Sequence, residues 1–341
     1  MSEFRIDKIT NRAGDAGTQI AGISTFSGTT GMQLPSGPTA YRGGRGRGVF
    51  AGGYNPTMSN TINYVEIATT GNATDFGDLS VARKFIGAAG DSTRGVFMGG
   101  DSPTPQSTID YVTISSKGGS NNFGDLSAIR GFGAASNSPT RAVYGGGQGA
   151  NPYPVLTDIE YITIATTGDS SKFGDLQLAR YGMAAASSST RCVFAGGVAP
   201  QSRPNLKLID YTEIETGGTS IKFGELSSGR HYVSGMSNPT RAVFGGGVTP
   251  TTVNTMDYIT IATTGSAADF GDLTVAARGL MAGSATTPTR GLFLSGKHDS
   301  GYYNVINYIT FSTTGNATDF GDSTDTVSYG GAISDSNGGL G

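Results

Sequence analysis

The side chains that could carry catalysis or bind metal are few in this chain of 341 residues, which holds two histidines, one cysteine and no tryptophan. His231 and His298 lie 67 positions apart, in surroundings of different type. Metal centres need several nitrogen, sulfur or carboxylate ligands converging at fixed spacing, so no metal or cofactor is expected. The single Cys192 excludes an intrachain disulfide and sits within an apolar run, where it reads as a small buried hydrophobe. "RGGRGRG" at 42–48 is similar to Arg-Gly tracts that bind RNA, yet Arg47 belongs to the repeat described below. Only two extra cations remain, and the stretch reads as the entry to the first repeat. "GGGQGA" at 145–150 lacks the helix that a phosphate loop requires. Asn72 and Asn316 each begin a glycosylation-type triplet, but "MSEFRIDKIT" has no apolar signal core, so both read as turn residues. A net charge of −3 argues against nucleic acid as partner. No apolar run reaches membrane-spanning length, so no membrane insertion is expected.

The arginines, aspartates and tyrosines recur instead at fixed places. Arg-x-Val-Phe-x-Gly-Gly starts at Arg47, Arg94, Arg141, Arg191 and Arg241, with a degraded copy at Arg290. A second element resembling "IDYVTI" centres on Tyr64, Tyr111, Tyr161, Tyr211, Tyr258 and Tyr308. A third, Phe-Gly-Asp-Leu, begins at Phe76, Phe123, Phe173, Phe223, Phe270 and Phe320. A fourth follows Arg83, Arg130, Arg180, Arg230 and Arg278 and consists of small residues. Self-similarity with a period near 47–50 residues marks a repeat architecture. The Arg83-type and Asp78-type residues read as pairs between strands or blades.

Each element has the length and punctuation of a short β-strand. Charged residues make up only 14% of the chain and apolar residues 36%, with 55 glycines, consistent with a folded, glycine-rich β protein. "IDYVTI" carries bulky side chains at nearly every position, as a strand covered on both faces requires. Four short strands per repeat, arranged radially, form a β-propeller. The innermost strand has the least room, which places the Gly/Ala/Ser element at the axis. The Arg-headed strand is then second, the tyrosine strand third and the Phe-Gly-Asp-Leu strand outermost. The first repeat lacks an inner strand, while 326–336 supplies a spare one. The expectation is an all-β, six-bladed propeller over 41–341, its first blade closed by the C-terminal strand. "TTGNATDFGD" at 69–78 and its identical copy at 313–322 would then be neighbours across the closure.

This pattern of Arg, Gly-Gly, Tyr and a fourth-strand aromatic is similar to the kelch repeat, with Phe76 and its equivalents where kelch repeats carry tryptophan. Kelch-like propellers include a copper oxidase, whose metal needs two histidines and two tyrosines, one linked to cysteine. Six-bladed sialidases carry an arginine triad and turns ending in tryptophan. Neither set is present, so no enzyme activity is expected. The N-terminal segment, followed by "RGVFAGG" and "ATTGNATDFGDL" repeats, resembles virion structural proteins of tailed phages that infect marine cyanobacteria. That resemblance implies a virion component, made in the host cytoplasm and attached to the particle through residues 1–40.

The turns before the repeat arginines and the "ATTGNATD" turns are nearly uniform and share one face. Loops between Gly-Gly and the tyrosine strand lie on the other face and vary in length and content. The candidate binding residues on that variable face are Tyr54, Asn55, Tyr153, Arg203, Lys207, His298, Tyr302 and Tyr303, because Tyr and Arg contribute large contact area. Exposed loops under weak constraint would also vary. The candidate ligand is a host-surface carbohydrate. Residues 1–40 cannot bury a core of their own, and Phe4, Ile6, Ile9, Ile20, Ile23 and Phe26 are the expected anchor. They would dock onto other virion proteins or onto copies of this chain in a homo-oligomer such as a trimer, with avidity from repeated weak sites. The other reading is a purely structural decoration, cement or baseplate component that binds only phage proteins.

Overall fold

In the computed structural model the described residues are 46–200, 205–281, 283, 285–336 and 339, together with the short strands Phe26–Ser27 and Gly31–Met32. They form a six-bladed β-propeller of antiparallel sheets, with no α-helix among the described residues. Blade 2 shows the plan. Gly87–Gly90 is innermost, followed outward by Arg94–Met98, Thr108–Thr113 and Asn121–Asp125. Blades 3, 4 and 5 repeat it, with inner strands Ala134–Asn137, Ala184–Ser187 and Ser234–Ser237. In blade 1 the C-terminal strand Gly331–Ser334 pairs with Arg47–Ala51, which continues to Thr61–Glu66 and Thr74–Asp78. The spare and the missing strand therefore do complete one another.

Blade 6 departs from the expectation of a regular fourth element. Its sheet has three strands, Arg290–His298, Gly301–Thr310 and Thr318–Asp322. Among the described residues the inner position holds isolated bridges, Met281 to Leu294, Gly283 to Ala332 and Thr286 to Gly291.

Six hydrophobic clusters fill the six seams between blades. At the seam of blades 1 and 2, Val49, Ile62 and Phe76 pack with Ala88, Phe97 and Val112. The repeat arginines bind these seams together. Each guanidinium lies 4.5–4.8 Å from the centroid of its own blade's tyrosine ring, as Arg47 does over Tyr64 and Arg94 over Tyr111. Each also donates to a carbonyl at the end of the next blade's third strand, Arg47 to Ile114 at 3.1 Å and Arg94 to Ile164 at 2.8 Å. Arg290 donates to Ile67 at 3.0 Å and closes the circle. The two identical decapeptides meet at that closure. Gly71 N–H donates to the Phe320 carbonyl at 2.9 Å, and Asp322 N–H donates to Asn72 Oδ1 at 3.0 Å.

The glycine of Phe-Gly-Asp serves the same seams. A Cβ on Gly77 would lie 2.3 Å from the Gly118 carbonyl oxygen of the next blade's turn, and its φ is +153°. Only glycine fits there.

Candidate functional site

The strand directions put the Arg-headed turns and the "TTG" turns on one face and the variable loops on the other. The variable face also carries the six loops that cross from each outer strand to the next inner strand, and buried ion pairs hold four of those loops down. Arg83 meets Asp110 at 3.0 Å and Arg230 meets Asp257 at 2.8 Å; Arg130 pairs with Glu160 and Arg180 with Asp210. All eight side chains are buried. The partners of the crossing-loop arginines are thus the acids of the tyrosine strand. The Asp78-type aspartates, expected to pair as well, lie outside these contacts, and Asp78 itself is exposed.

Two blades replace the pair as a unit. Gly53 N–H donates to the Arg83 carbonyl, and in the same role Gly247 donates to Ala277 and Gly296 to Val327. Ala277 and Val327 therefore stand where the other blades have arginine, and Arg278 is one position out of phase with the series in which the repeat pattern placed it. Opposite them the acid is an asparagine, Asn307 or Asn63, both buried. The hydroxyl contact survives the exchange. Ser80 donates to Asp110 at 2.8 Å, and Thr324 donates to Asn63 at 2.8 Å. A buried charge without its partner is strongly destabilising, so both members change together.

At the centre of the variable face, six residues one from each crossing loop form a closed ring of backbone hydrogen bonds. Phe132 N–H donates to the Phe85 carbonyl, Gly182 to Phe132, Tyr232 to Gly182, Gly279 to Tyr232, Tyr329 to Gly279 and Phe85 to Tyr329. All six have positive φ. Phe85, Phe132, Tyr232 and Tyr329 lie between 54° and 67°, beside Gly182 at 64° and Gly279 at 57°. A bulky residue in this region is strained, and glycine is the relaxed choice. Four blades nevertheless carry an aromatic. Their rings gather over the axis, with Phe85 stacked on Phe132 at 3.6 Å and tilted against Tyr329 at 4.7 Å, and Tyr232 at 5.3 Å from Tyr329. All four are half-buried. They line an axial cavity of about 90 Å³ together with Gly87, Ala135 and Ala184.

A second tier surrounds this ring. Tyr54 packs edge-on against Tyr302 at 6.3 Å, with the Lys84 ammonium 4.3 Å above the Tyr54 ring. Lys297 lies 5.0 Å over Tyr302, and Arg278 pairs with Asp299 at 3.0 Å. His231 Nδ1 meets Asn205 Oδ1 at 2.7 Å; burial and the nearby Arg278 push its pKa down, which favours the neutral ring. Burial pushes the Asp101 carboxyl up to about 6 against the opposing pull of Lys84. Burial also pushes up the Tyr232 and Tyr329 phenols.

The candidate residues named from the sequence divide accordingly. Tyr54 and Tyr302 come together beside the axis. Tyr303 is half-buried against the seam of blades 5 and 6, and its hydroxyl has no partner. The Asn55 amide donates to the Thr326 carbonyl at 2.6 Å and ties its loop to the crossing loop of the closure. Tyr153 stands alone at a loop tip, 59% exposed. Lys207 is exposed beside the outer strand, close to Glu225 and away from the axis. His298 turns its ring to Ser300 within its own hairpin. Arg203 lies outside the described residues, as do Phe4, Ile6, Ile9, Ile20 and Ile23. Phe26 belongs to a two-residue strand paired with Gly31–Met32.

Sequence reading missed the axial aromatics. Their signal was present as a lone bulky residue at the head of an element otherwise built of Gly and Ala, in "RKFIGAAG", "RGFGAAS" and "RHYVSGM". The variable face also holds most of the exposed large apolar side chains, with Val81, Ile129, Leu178 and Val275 on four crossing loops. Among the described residues no cluster of three or more metal-ligating side chains occurs, and no helix is long and apolar enough to cross a membrane. No family model matches the chain, and no curated protein matches it.

Proposed function

We propose that this protein is a non-enzymatic virion component of a tailed phage, held to the particle by residues 1–40, whose propeller recognises host-surface carbohydrate with its variable face. The observation that carries recognition is the division of labour between the faces. On the uniform face the repeated arginines stack on tyrosines and cap neighbouring strands, six times over. On the variable face, aromatic rings, cations and loop tips depart from the repeat and remain partly open to solvent. Rigid aromatic side chains with polar ends give much contact area for little lost conformational entropy.

The test is binding of the fluorescent full-length chain to cyanobacterial host cells, beside a variant whose six loops between Gly-Gly and the tyrosine strand are replaced by Gly-Ser. Saturable binding that disappears on replacement is the expected result. Absence of binding, even with the chain displayed multivalently, would overturn host recognition. The exposed aliphatic side chains Val81, Leu178 and Val275 favour a second reading, in which this face docks on another virion protein. Pull-down of a particle protein by the intact chain but not by a Val81→Ser, Leu178→Ser, Val275→Ser variant would support it.

A further inference from the structure

We infer that the sector of the variable face formed by blades 6, 1 and 2 is a binding site for a carboxylate-bearing pyranose, built from Lys297, Tyr302, Tyr54, Lys84, Phe85 and Tyr329. The inference rests on the recognition reading and deepens it to one ligand class and one place.

These six side chains make an unbroken chain of contacts across three blades. Lys297 lies over Tyr302 at 5.0 Å, and Tyr302 meets Tyr54 at 6.3 Å. Lys84 lies 4.3 Å over Tyr54 and 5.0 Å over Phe85, and Phe85 meets Tyr329 at 4.7 Å. Arg278, bridged by backbone to Lys297 and side by side with the Tyr329 phenol, closes the circuit.

The scaffold does not demand these residues. At the position of Tyr54 the other blades carry Asp101, Gln148, Val198, Val248 and Lys297, and at that of Lys84 they carry Gly131, Tyr181, His231, Arg278 and Ser328. The Tyr54 position accepts neutral, acidic or basic residues and the Lys84 position accepts Gly or Ser, without loss of the fold. Tyr181 and His231 show that aromatic residues occur at the Lys84 position elsewhere, but on the variable face lysines over aromatic rings are found, among the described residues, in this sector alone.

The chemistry of that arrangement is specific. Arg278 is matched by Asp299; Asp101 lies near Lys84 without an ion pair to it, and with its carboxyl raised by burial to about 6 it is ionised at neutral pH and balances Lys84 in part. Neither Lys84 nor Lys297 forms an ion pair with a described residue. Two ammonium groups thus stand over aromatic faces in a protein of net charge −3. Aromatic rings stack on the C–H face of a pyranose, and the flanking ammoniums supply charge-assisted hydrogen bonds to a carboxylate. A neutral sugar would use the rings and leave the cations idle. A polyanion such as nucleic acid would need a wider basic field than two lysines.

The experiment is calorimetric titration of the full-length chain with an oligogalacturonate tetrasaccharide and with the same tetrasaccharide after reduction of its carboxyl groups to alcohols. The expected result is saturable binding of the uronate, at least tenfold weaker binding of the reduced sugar, and weakening with added salt. Lys84→Gln with Lys297→Gln should lower uronate affinity at least tenfold, and Tyr54→Ala with Tyr302→Ala should do the same. Asp269→Asn, exposed on the outer rim of blade 5, should leave it unchanged. The lysine exchanges sit at half-exposed positions and keep the fold, which circular dichroism confirms for each variant. No uronate binding by the intact chain at millimolar sugar, equal binding of both sugars, or full affinity in the lysine variant would overturn the inference. Cell binding separates the two levels. Cells bound equally by the intact chain and the lysine variant would sink this site and spare host recognition. Uronate bound in calorimetry with no cells bound would do the reverse.

Discussion

Exchanging Arg83 and Asp110 for the residues that blade 1 carries, valine and asparagine, should cost far less together than either change alone. The pair lies at 3.0 Å with both side chains inaccessible to solvent. Arg83→Val strands a buried carboxylate and Asp110→Asn strands a buried guanidinium, whose ionised form burial already disfavours. Removing one member of such a pair costs about 3–5 kcal/mol. Unfolding entropy near 2.1 cal/mol/K per residue over roughly 300 ordered residues gives about 0.6 kcal/mol per °C. Each single variant should therefore melt about 5–8 °C below the parent.

The double variant recreates the arrangement of Val327 and Asn63. The Ser80 hydroxyl, now 2.8 Å from Asp110, can donate to the new amide oxygen as Thr324 does to Asn63. What remains is the smaller volume of valine and the loss of the Arg83 bond to the Phe97 carbonyl. We expect a deficit of about 1–2 kcal/mol, with a coupling of at least about 2 kcal/mol between the sites. Thermal and urea unfolding followed by circular dichroism measure all four species. Asp78→Asn, at an exposed acid, should fall within about 0.5 kcal/mol of the parent and controls for general charge loss. If the double variant loses the sum of the two single losses, the paired exchange among blades does not reflect buried-charge compensation, and the reasoning fails.

Three further outcomes follow from the same geometry. Truncation after Gly330 removes the inner strand that pairs with Arg47–Ala51; the exposed edge should drive self-association, read by size-exclusion chromatography, and a monomer with unchanged melting would contradict closure by that strand. The Asp101 carboxyl titrates near 6 in the folded chain against 3.8 unfolded, so its raised value favours the fold at low pH and that contribution is lost as pH rises from about 4 through 6. Discounted for partial exposure, the loss is about 1–2 kcal/mol, and Asp101→Asn should flatten the stability profile in that window. Burial, with Asp210 nearby, pushes the Cys192 thiol well up; it should be inert to a disulfide reagent in the native protein and react at the rate of unfolding, so prompt reaction at neutral pH without denaturant would refute its burial.

The repeat made most of the fold readable, and the reason is redundancy. The crowding of an inner strand appears as Gly and Ala in five blades, and the need to cap a neighbouring strand appears as arginine in all six. Strand order and closure follow from those constraints alone. What could not be read were relationships that run between strands of different repeat elements. Arg83 and Asp110 are separated by the whole inner and second strands, and no local spacing links them. The nearer and equally regular Asp78 attracted the pairing instead. Arg278 misled for a related reason, since an arginine one position late looks like a member of the series until the Gly247 hydrogen bond identifies Ala277 as the true equivalent. The site was half legible. Tyr54 and Tyr302 stand out in loops of unlike composition, but the convergence of Phe85, Phe132, Tyr232 and Tyr329 depends on the axis, which no single repeat contains.

Six blades amount to six trials of each structural position, and the pattern of outcomes separates three kinds of residue. Where all six agree, as at the Arg47 series over the Tyr64 series, the position is needed to hold adjacent blades. Where two positions change together, as Arg with Asp or Glu becomes Val with Asn or Ala with Asn, a buried interaction has been replaced without loss. A third kind differs from its equivalents with no compensating change and gathers with other such residues in space. Lys84, Tyr54, Tyr302 and Lys297 are of that kind, and so are the aromatics held at positive φ where glycine would relax the chain. Strain kept in four blades of six, against the simpler choice shown by Gly182 and Gly279, has no return in the packing of the seams. Its consequence is a set of rings turned toward the centre of the variable face, where a ligand would meet them.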